Sequence, residues 1–127
     1  MVNNYILDSN IIINLINDNG LIVTHLGGLK QDVFSISIIS RLEVMLGHSK
    51  HSMNLEQIEL ILDNYAALPF DEEICRQAAT LSDKSPKKLK FKDLIIAATA
   101  IVHKKTLITS DKDFLSFKKL KVKYIGA

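Results

Sequence analysis

Four acidic residues, Asp8, Glu43, Asp93 and Asp111, lie far apart in the 127-residue chain but in related surroundings. Asp8 directly follows the short apolar run Tyr5-Ile6-Leu7. Asp111 comes two residues after Thr109, which ends a second short apolar run. Glu43 is set among Leu42, Val44 and Met45, and Asp93 precedes Leu94, Ile95 and Ile96. A carboxylate among apolar residues is costly to bury unless it is paired or bound to a metal. If the four met in one place, they would repel one another strongly. A hard divalent cation relieves such repulsion, and magnesium prefers carboxylate and water oxygens. The chemistry on offer is therefore that of an all-oxygen metal site. Each acid also has a structural use. Asp8 and Asp93 suit a helix cap or first turn, Glu43 suits a solvent-facing stripe, and Asp111 and Asp113 suit a turn. The functional reading rests on the four acting together.

The elements needed to bring them together can be read along the chain. Tyr5-Ile6-Leu7 reads as a buried strand, with Asp8-Ser9-Asn10 opening a helix through Ile11, Ile12, Leu15 and Ile16. Residues 21–30 read as a short helix weakened by Gly27-Gly28, and residues 33–36 as a second strand. Ser40 is expected to cap a helix carrying Leu42, Glu43, Met45 and Leu46, closed by Gly47. Leu55, Ile58, Ile61, Leu62 and Tyr65 recur at helical spacing. Leu68-Pro69-Phe70 breaks that helix and has room for a short strand, and Asp71 caps the next helix through Ile74, Ala78 and Leu81. Residues 83–90 read as a polar loop, residues 92–103 as a helix with the small run Ala97-Ala98-Thr99-Ala100, and residues 106–109 and 121–125 as strands. Strands that alternate with helices predict a parallel sheet covered on both faces. In such a sheet, ligand sites form beyond the carboxyl ends of the strands. Asp8 and Asp111 should then meet at one edge.

Bulk properties narrow the classes. The length suits one domain over residues 1–127, and 47% hydrophobic with 24% charged residues is ordinary globular composition. The lone Cys75 excludes an internal disulfide and a cysteine-rich zinc site, which fits a reducing compartment. His25, His48, His51 and His103 have no ligand spacing with one another. The N-terminus lacks the pattern of a signal peptide, and no apolar run approaches the ~20 residues of a membrane helix. A cytoplasmic protein without a membrane partner is expected. The net charge of +2 hides an asymmetry. Residues 84–127 hold 12 of the 16 Lys and Arg but 3 of the 14 acids, a balance of +9, against −7 for residues 1–83. A basic C-terminal third suggests a polyanion partner, although a solvated lysine surface has the same composition.

Four segments together resemble the PIN-domain nucleases. They are Tyr5-Ile6-Leu7-Asp8-Ser9-Asn10-Ile11-Ile12, Ser40-Arg41-Leu42-Glu43-Val44, Phe91-Lys92-Asp93-Leu94-Ile95-Ile96-Ala97-Ala98-Thr99-Ala100, and Leu107-Ile108-Thr109-Ser110-Asp111-Lys112-Asp113-Phe114. They occur in family order and cover nearly the whole chain, and the length resembles the VapC toxins of toxin–antitoxin pairs. The resemblance implies a three-layer α/β/α PIN-like fold with a central parallel sheet of four to five strands. It implies an endoribonuclease dependent on Mg²⁺, or Mn²⁺, that hydrolyses RNA phosphodiesters. Asp8 and Asp93 would ligate metal directly, and Glu43 and Asp111 directly or through water, with Asp113 the alternate to Asp111. It further implies a homodimer and a VapB-like antitoxin. Ser9, Ser110, Arg41 and Lys92 are candidates for contact with phosphate or for orienting a carboxylate. Lys84, Lys87, Lys88, Lys90 and Lys92 are candidates for holding RNA backbone. Two rival readings are a PIN-like RNA-binding scaffold without activity and a haloacid-dehalogenase-type phosphatase. The latter needs a second Asp where this chain has Asn10.

Overall fold

A computed structural model describes residues 4–17, 26, 34–85 and 89–126. Five parallel strands form one sheet in the order β3-β2-β1-β4-β5. These are β1 (Tyr5–Leu7), β2 (Phe34–Ser37), β3 (Ala66–Leu68), β4 (Thr106–Thr109) and β5 (Val122–Tyr124). Between them run α1 (Ser9–Ile16), α2 (Ile38–Leu46), α3 (Leu55–Leu62), α4 (Glu72–Lys84) and α5 (Phe91–Val102). Single-turn helices cover His48–His51 and Lys112–Ser116. The chain moves outward from β1 through β2 to β3, then crosses back to lay β4 on the other side of β1. The strand order therefore reverses between β1 and β4, and a crevice opens there beyond the strand ends.

Period-two alternation in the central strands builds two cores. Ile6 and Leu107 pack on one face with Ile74 and Leu81 of α4 and Ile95, Ile96 and Ala100 of α5. Leu7, Ile36 and Ile108 pack on the other with Ile11 and Ile12 of α1, Val44 of α2, and Ile58 and Leu62 of α3. The two central strands β1 and β4 are buried on both faces and carry Ile6, Leu7, Leu107 and Ile108 there, which explains their apolar runs. The result is the expected three-layer arrangement with a sheet at the upper end of the expected strand number. The short strand near Leu68 is present as β3. The expected helix over residues 21–30 lies outside the described residues, apart from Leu26, which is buried in the second core.

Two boundaries differ from expectation. Ser37, not Ser40, caps α2, its hydroxyl accepting from Ile39 N at 3.1 Å. Ser37 is also the last residue of β2, so strand and helix join with no loop between them. The first hydroxyl past the strand pairing takes the cap, and Ser40 is carried a turn further in and fully buried. Glu43 consequently stands in the second turn of α2, away from the helix N-terminus. The other change is at α4, which runs to Lys84, so Asp83 and Lys84 belong to the helix and not to the polar loop.

Ala97, Ala98 and Ala100 are fully buried where α5 lies on the sheet. Their small side chains set the helix close to β1 and β4, and that seating fixes where the N-terminal turn of α5 falls. Ala98→Leu should destabilise the fold by about 1–3 kcal/mol through overpacking, read from the urea midpoint at unchanged m-value.

Candidate active site at the sheet switch point

Asp8 is the first residue beyond β1 and the N-cap of α1. It is nearly fully buried. Its Oδ1 accepts from the Ser9 backbone N–H at 2.8 Å, with the Ser9 hydroxyl 3.5 Å away. Its Oδ2 accepts from the Thr109 hydroxyl at 2.7 Å. Thr109 Oγ1 in turn accepts from the backbone N–H of Asp111 at 3.0 Å, and Asp111 Oδ1 accepts from the N–H of Asp113 at 2.9 Å. A continuous chain of hydrogen bonds thus joins the end of β1 to the turn after β4. A carboxylate has about four lone-pair sites, so these bonds leave Asp8 able to accept more.

On the helix side, Glu43 of α2 and Lys92 of α5 form an ion pair through Oε2 and Nζ. Glu43 Oε1 is buried and has no hydrogen-bond partner among the described residues. Asp93, beside Lys92 in the first turn of α5, is 7% exposed, and no described residue donates a hydrogen bond to its side chain. Burial pushes the Asp93 carboxyl up, and the charges of Asp8 and Asp111 push it further. Lys92 and Lys90 pull it down, and it settles at about 6. Burial also raises Asp8, against the hydrogen bonds from Thr109 and Ser9, while Glu43 adds repulsion. Glu43 ends below the usual carboxylate range. Burial raises it, but the Lys92 ammonium, the nearby Ser9 hydroxyl and Lys90 together outweigh burial. Lys92 is raised, chiefly by its hydrogen bond to Glu43. Asp8 and Asp111 follow the adjacent parallel strands β1 and β4. The Glu43–Lys92 pair brings α2 to the first turn of α5, which bears Asp93. The four acids therefore lie at one edge of the sheet, with Lys92 as counter-charge.

The other sequence candidates divide. Ser9 is buried beside Asp8. Ser110 follows Thr109, and its hydroxyl is buried without a partner among the described residues. Asp113 donates its N–H to Asp111 and accepts the Ser116 hydroxyl on its carbonyl. It therefore stands one step further along the chain from Asp8 than Asp111 does. Arg41 is held by Asp63 at 2.9 Å, away from the acids. Lys87 and Lys88 lie outside the described residues. Thr109 was not among the sequence candidates, although its hydroxyl is the link between Asp8 and Asp111. The available signal was a Thr closing an apolar strand just before an acidic turn.

The donor set suits a hard cation. It is all carboxylate oxygen, it carries excess negative charge at neutral pH, and it includes one carboxyl without a donor and one orphaned buried oxygen. Among the described residues, no three Asp, Glu, His or Cys side chains are gathered closely enough to form a ready-made metal cage. Glu43 is turned onto Lys92 instead.

A model of the PIN domain matches residues 5–120, and the chain belongs to that family. No curated protein matches significantly. Similar solved structures include a toxin–antitoxin complex from Klebsiella pneumoniae, at TM-score 0.81 and 27% identity over 92% of this chain and 95% of that one. VapBC2 from Rickettsia felis, bound to a DNA fragment from its promoter, gives 0.77 and 26% over 94% and 97%. VapBC-1 from nontypeable Haemophilus influenzae gives 0.75 and 28% over 97% and 98%.

Two predictions follow from this charge arrangement. Folding raises Asp93 from 3.8 to about 6, so its contribution to stability is full below pH 3.8 and is lost as pH rises through 6. In chelator, Asp93→Asn should therefore be more stable than the parent by about 1–3 kcal/mol at pH 8, with the gain vanishing near pH 4 in parallel denaturant titrations. Thr109→Val keeps the shape but removes the donor to buried Asp8. It should cost about 1.5–3 kcal/mol, measured at pH 7, and raise the Asp8 pKa as followed by carboxyl NMR.

Proposed function

We propose that the chain is a Mg²⁺-dependent endoribonuclease, acting as the VapC-type toxin of a toxin–antitoxin pair. The observation that carries this reading is the placement of Asp8, Glu43, Asp93 and Asp111 at the edge beyond β1 and β4, with Glu43 paired to Lys92. Membership of the PIN family supports nuclease chemistry, and the toxin–antitoxin complexes among the structural neighbours support the biological setting. The whole chain, residues 1–127, acts as one PIN-like domain in this reading.

Asp8 and Asp93 would hold the cation, with Glu43 and Asp111 completing the site directly or through water. When bound, Mg²⁺ (or Mn²⁺) makes a water nucleophilic near neutral pH and offsets the charge of the phosphate. The chain's own residues do the rest. Thr109 and the Ser9 N–H fix both oxygens of Asp8, so the carboxylate presents constant geometry. Glu43, held as a carboxylate by Lys92, would accept a hydrogen bond from the attacking water on its unpartnered Oε1 and so orient it. Lys90 and Lys92 offset the repulsion between carboxylates and an incoming phosphodiester. No serine, cysteine or histidine nucleophile is required.

The proposed partners fit the surface. Leu42 and Leu46 of α2 are 51% and 74% exposed, one helical turn apart, and Leu60 of α3 is 71% exposed. Such side chains suit burial by a second copy of the chain or by a VapB-like antitoxin. Asn10 is exposed at the position where the dehalogenase-type phosphatase needs its second acid, so that reading has no acid to use.

Purified chain with Mg²⁺ should cut RNA endonucleolytically, with cleavage ends mapped in total RNA, and chelator should stop it. Asp8→Asn and Asp93→Asn should each lower the rate about 100-fold or more while the circular dichroism stays native. Undiminished cleavage by both variants would sink the mechanism. Tight RNA binding without cleavage by the parent chain would favour the scaffold reading.

A further inference from the structure

The functional site leaves most of the lysines in the C-terminal third unaccounted for. Between the end of α4 and the segment after β4, Lys84, Lys118 and Lys119 line a cleft of about 460 Å³ together with Leu81, Ser116 and Phe117. Lys119 also lines a second cleft of about 200 Å³, shared with Lys104, Lys105 and Lys121. The two clefts are neighbours, with Lys119 in the wall of both. Neither has an acidic residue in its lining. Among the described residues, none of the six lysines pairs with a carboxylate. After position 84 the sequence has only three acids, Asp93, Asp111 and Asp113, all at the acidic edge.

The path has a direction. It starts beside Ser116, the last residue of the short helix capped by Asp111. It ends beyond the C-terminus of α5, before the first residues of β4 and β5, at the opposite edge of the sheet. The twelve residues of α5 span about 18 Å between those edges. At the far end Lys104 adopts φ 55, a conformation that glycine or asparagine usually fills after a helix. The helix is closed there by bonds from Lys104 N to Ile101 O and Lys105 N to Ala100 O.

We infer that this six-lysine track, from Lys84 through Lys119 to Lys104, Lys105 and Lys121, is a phosphate-backbone site that holds RNA flanking the scissile bond. The inference rests on the ribonuclease reading for calling that RNA the substrate. Ammonium groups without a carboxylate partner among the described residues suit a flexible single strand, in which successive phosphates are read as charge and not as sequence. The track makes long RNA a better substrate than an oligomer that fills only the acidic edge.

The test uses the full chain. Asp8→Asn protein in chelator is titrated by anisotropy with unstructured oligouridine of about 30 nucleotides across a salt series, alone and with Lys119→Ala and Lys121→Ala added. Removing two phosphate contacts should weaken binding about tenfold and lower the salt slope by about 1.4. Lys119→Arg with Lys121→Arg should restore both. In otherwise native protein with Mg²⁺, Lys119→Ala and Lys121→Ala should lower kcat/KM on the long RNA but not on an oligomer of about four nucleotides. Unchanged affinity and slope overturn the inference. So does a loss confined to poly-glutamate or duplex DNA, which would mark a protein-partner or DNA surface. A parent chain that cuts no RNA while its binding still requires Lys119 and Lys121 overturns the ribonuclease reading and leaves the track standing.

Discussion

The ion pair between Glu43 and Lys92 is the contact on which the acidic edge depends. It joins α2 to α5 beside the crevice, and among the described residues it is the one ion pair within the group of four carboxylates. Two like charges about 4 Å apart repel by about 4 kcal/mol at an effective dielectric of 20. Domains are stable by only about 5–15 kcal/mol in total. Gathering four full negative charges without compensation would consume much of that margin. The chain compensates in three ways: Lys92 neutralises Glu43, hydrogen bonds from Thr109 and Ser9 spread the charge of Asp8, and Asp93 stays protonated up to about pH 6. The third way is incomplete at neutral pH, and this residual tension is what a divalent cation would relieve.

The fold makes the gathering possible at modest cost elsewhere. Because β1 and β4 are adjacent and parallel, the residues that follow them are neighbours despite a separation of about a hundred positions. The centre of this pairing, Ile6 with Leu107 and Leu7 with Ile108, is apolar and fully buried, and Thr109 at the strand end gives its hydroxyl to Asp8. The close seating of α5 through Ala97, Ala98 and Ala100 then delivers Asp93 and Lys92 to the same edge.

What the sequence disclosed depended on whether the signal was local. A buried strand followed at once by an acid is a local pattern, so β1 with Asp8 and β4 with Asp111 were legible, and the alternation of strands and helices implied the parallel sheet. The cap of α2 was misassigned because Ser35, Ser37 and Ser40 all offer a hydroxyl, and only strand pairing to β3 shows where β2 stops. The pairing of Glu43 with Lys92 spans 49 positions, and that of Asp8 with Thr109 spans 101. Neither carries a periodicity or a motif that identifies its partner. Arg41 illustrates the converse. It lies two residues from Glu43 in sequence, yet the helical turn carries it to Asp63 instead.

At the ends of α5, Asp93, Lys104 and Lys105 agree with the helix dipole, whereas Lys90 and Lys92 stand at the N-terminus against it, beside the acids they offset. The first turn of α5 bears Asp93, and Lys104 and Lys105 follow its last residue. The partial positive charge at a helix N-terminus favours an acid, and the partial negative charge at the C-terminus favours lysines, each by about 0.3–1 kcal/mol. The same dipole therefore eases the two charges that function requires in opposite places: an acid where the proposed cation would sit, and lysines where flanking phosphates would lie. Exchanging the two sets would reverse both contributions and would leave Asp93's partners, Asp8 and Asp111, at the wrong edge. The acids belong beyond the strand ends because the switch-point crevice lies there.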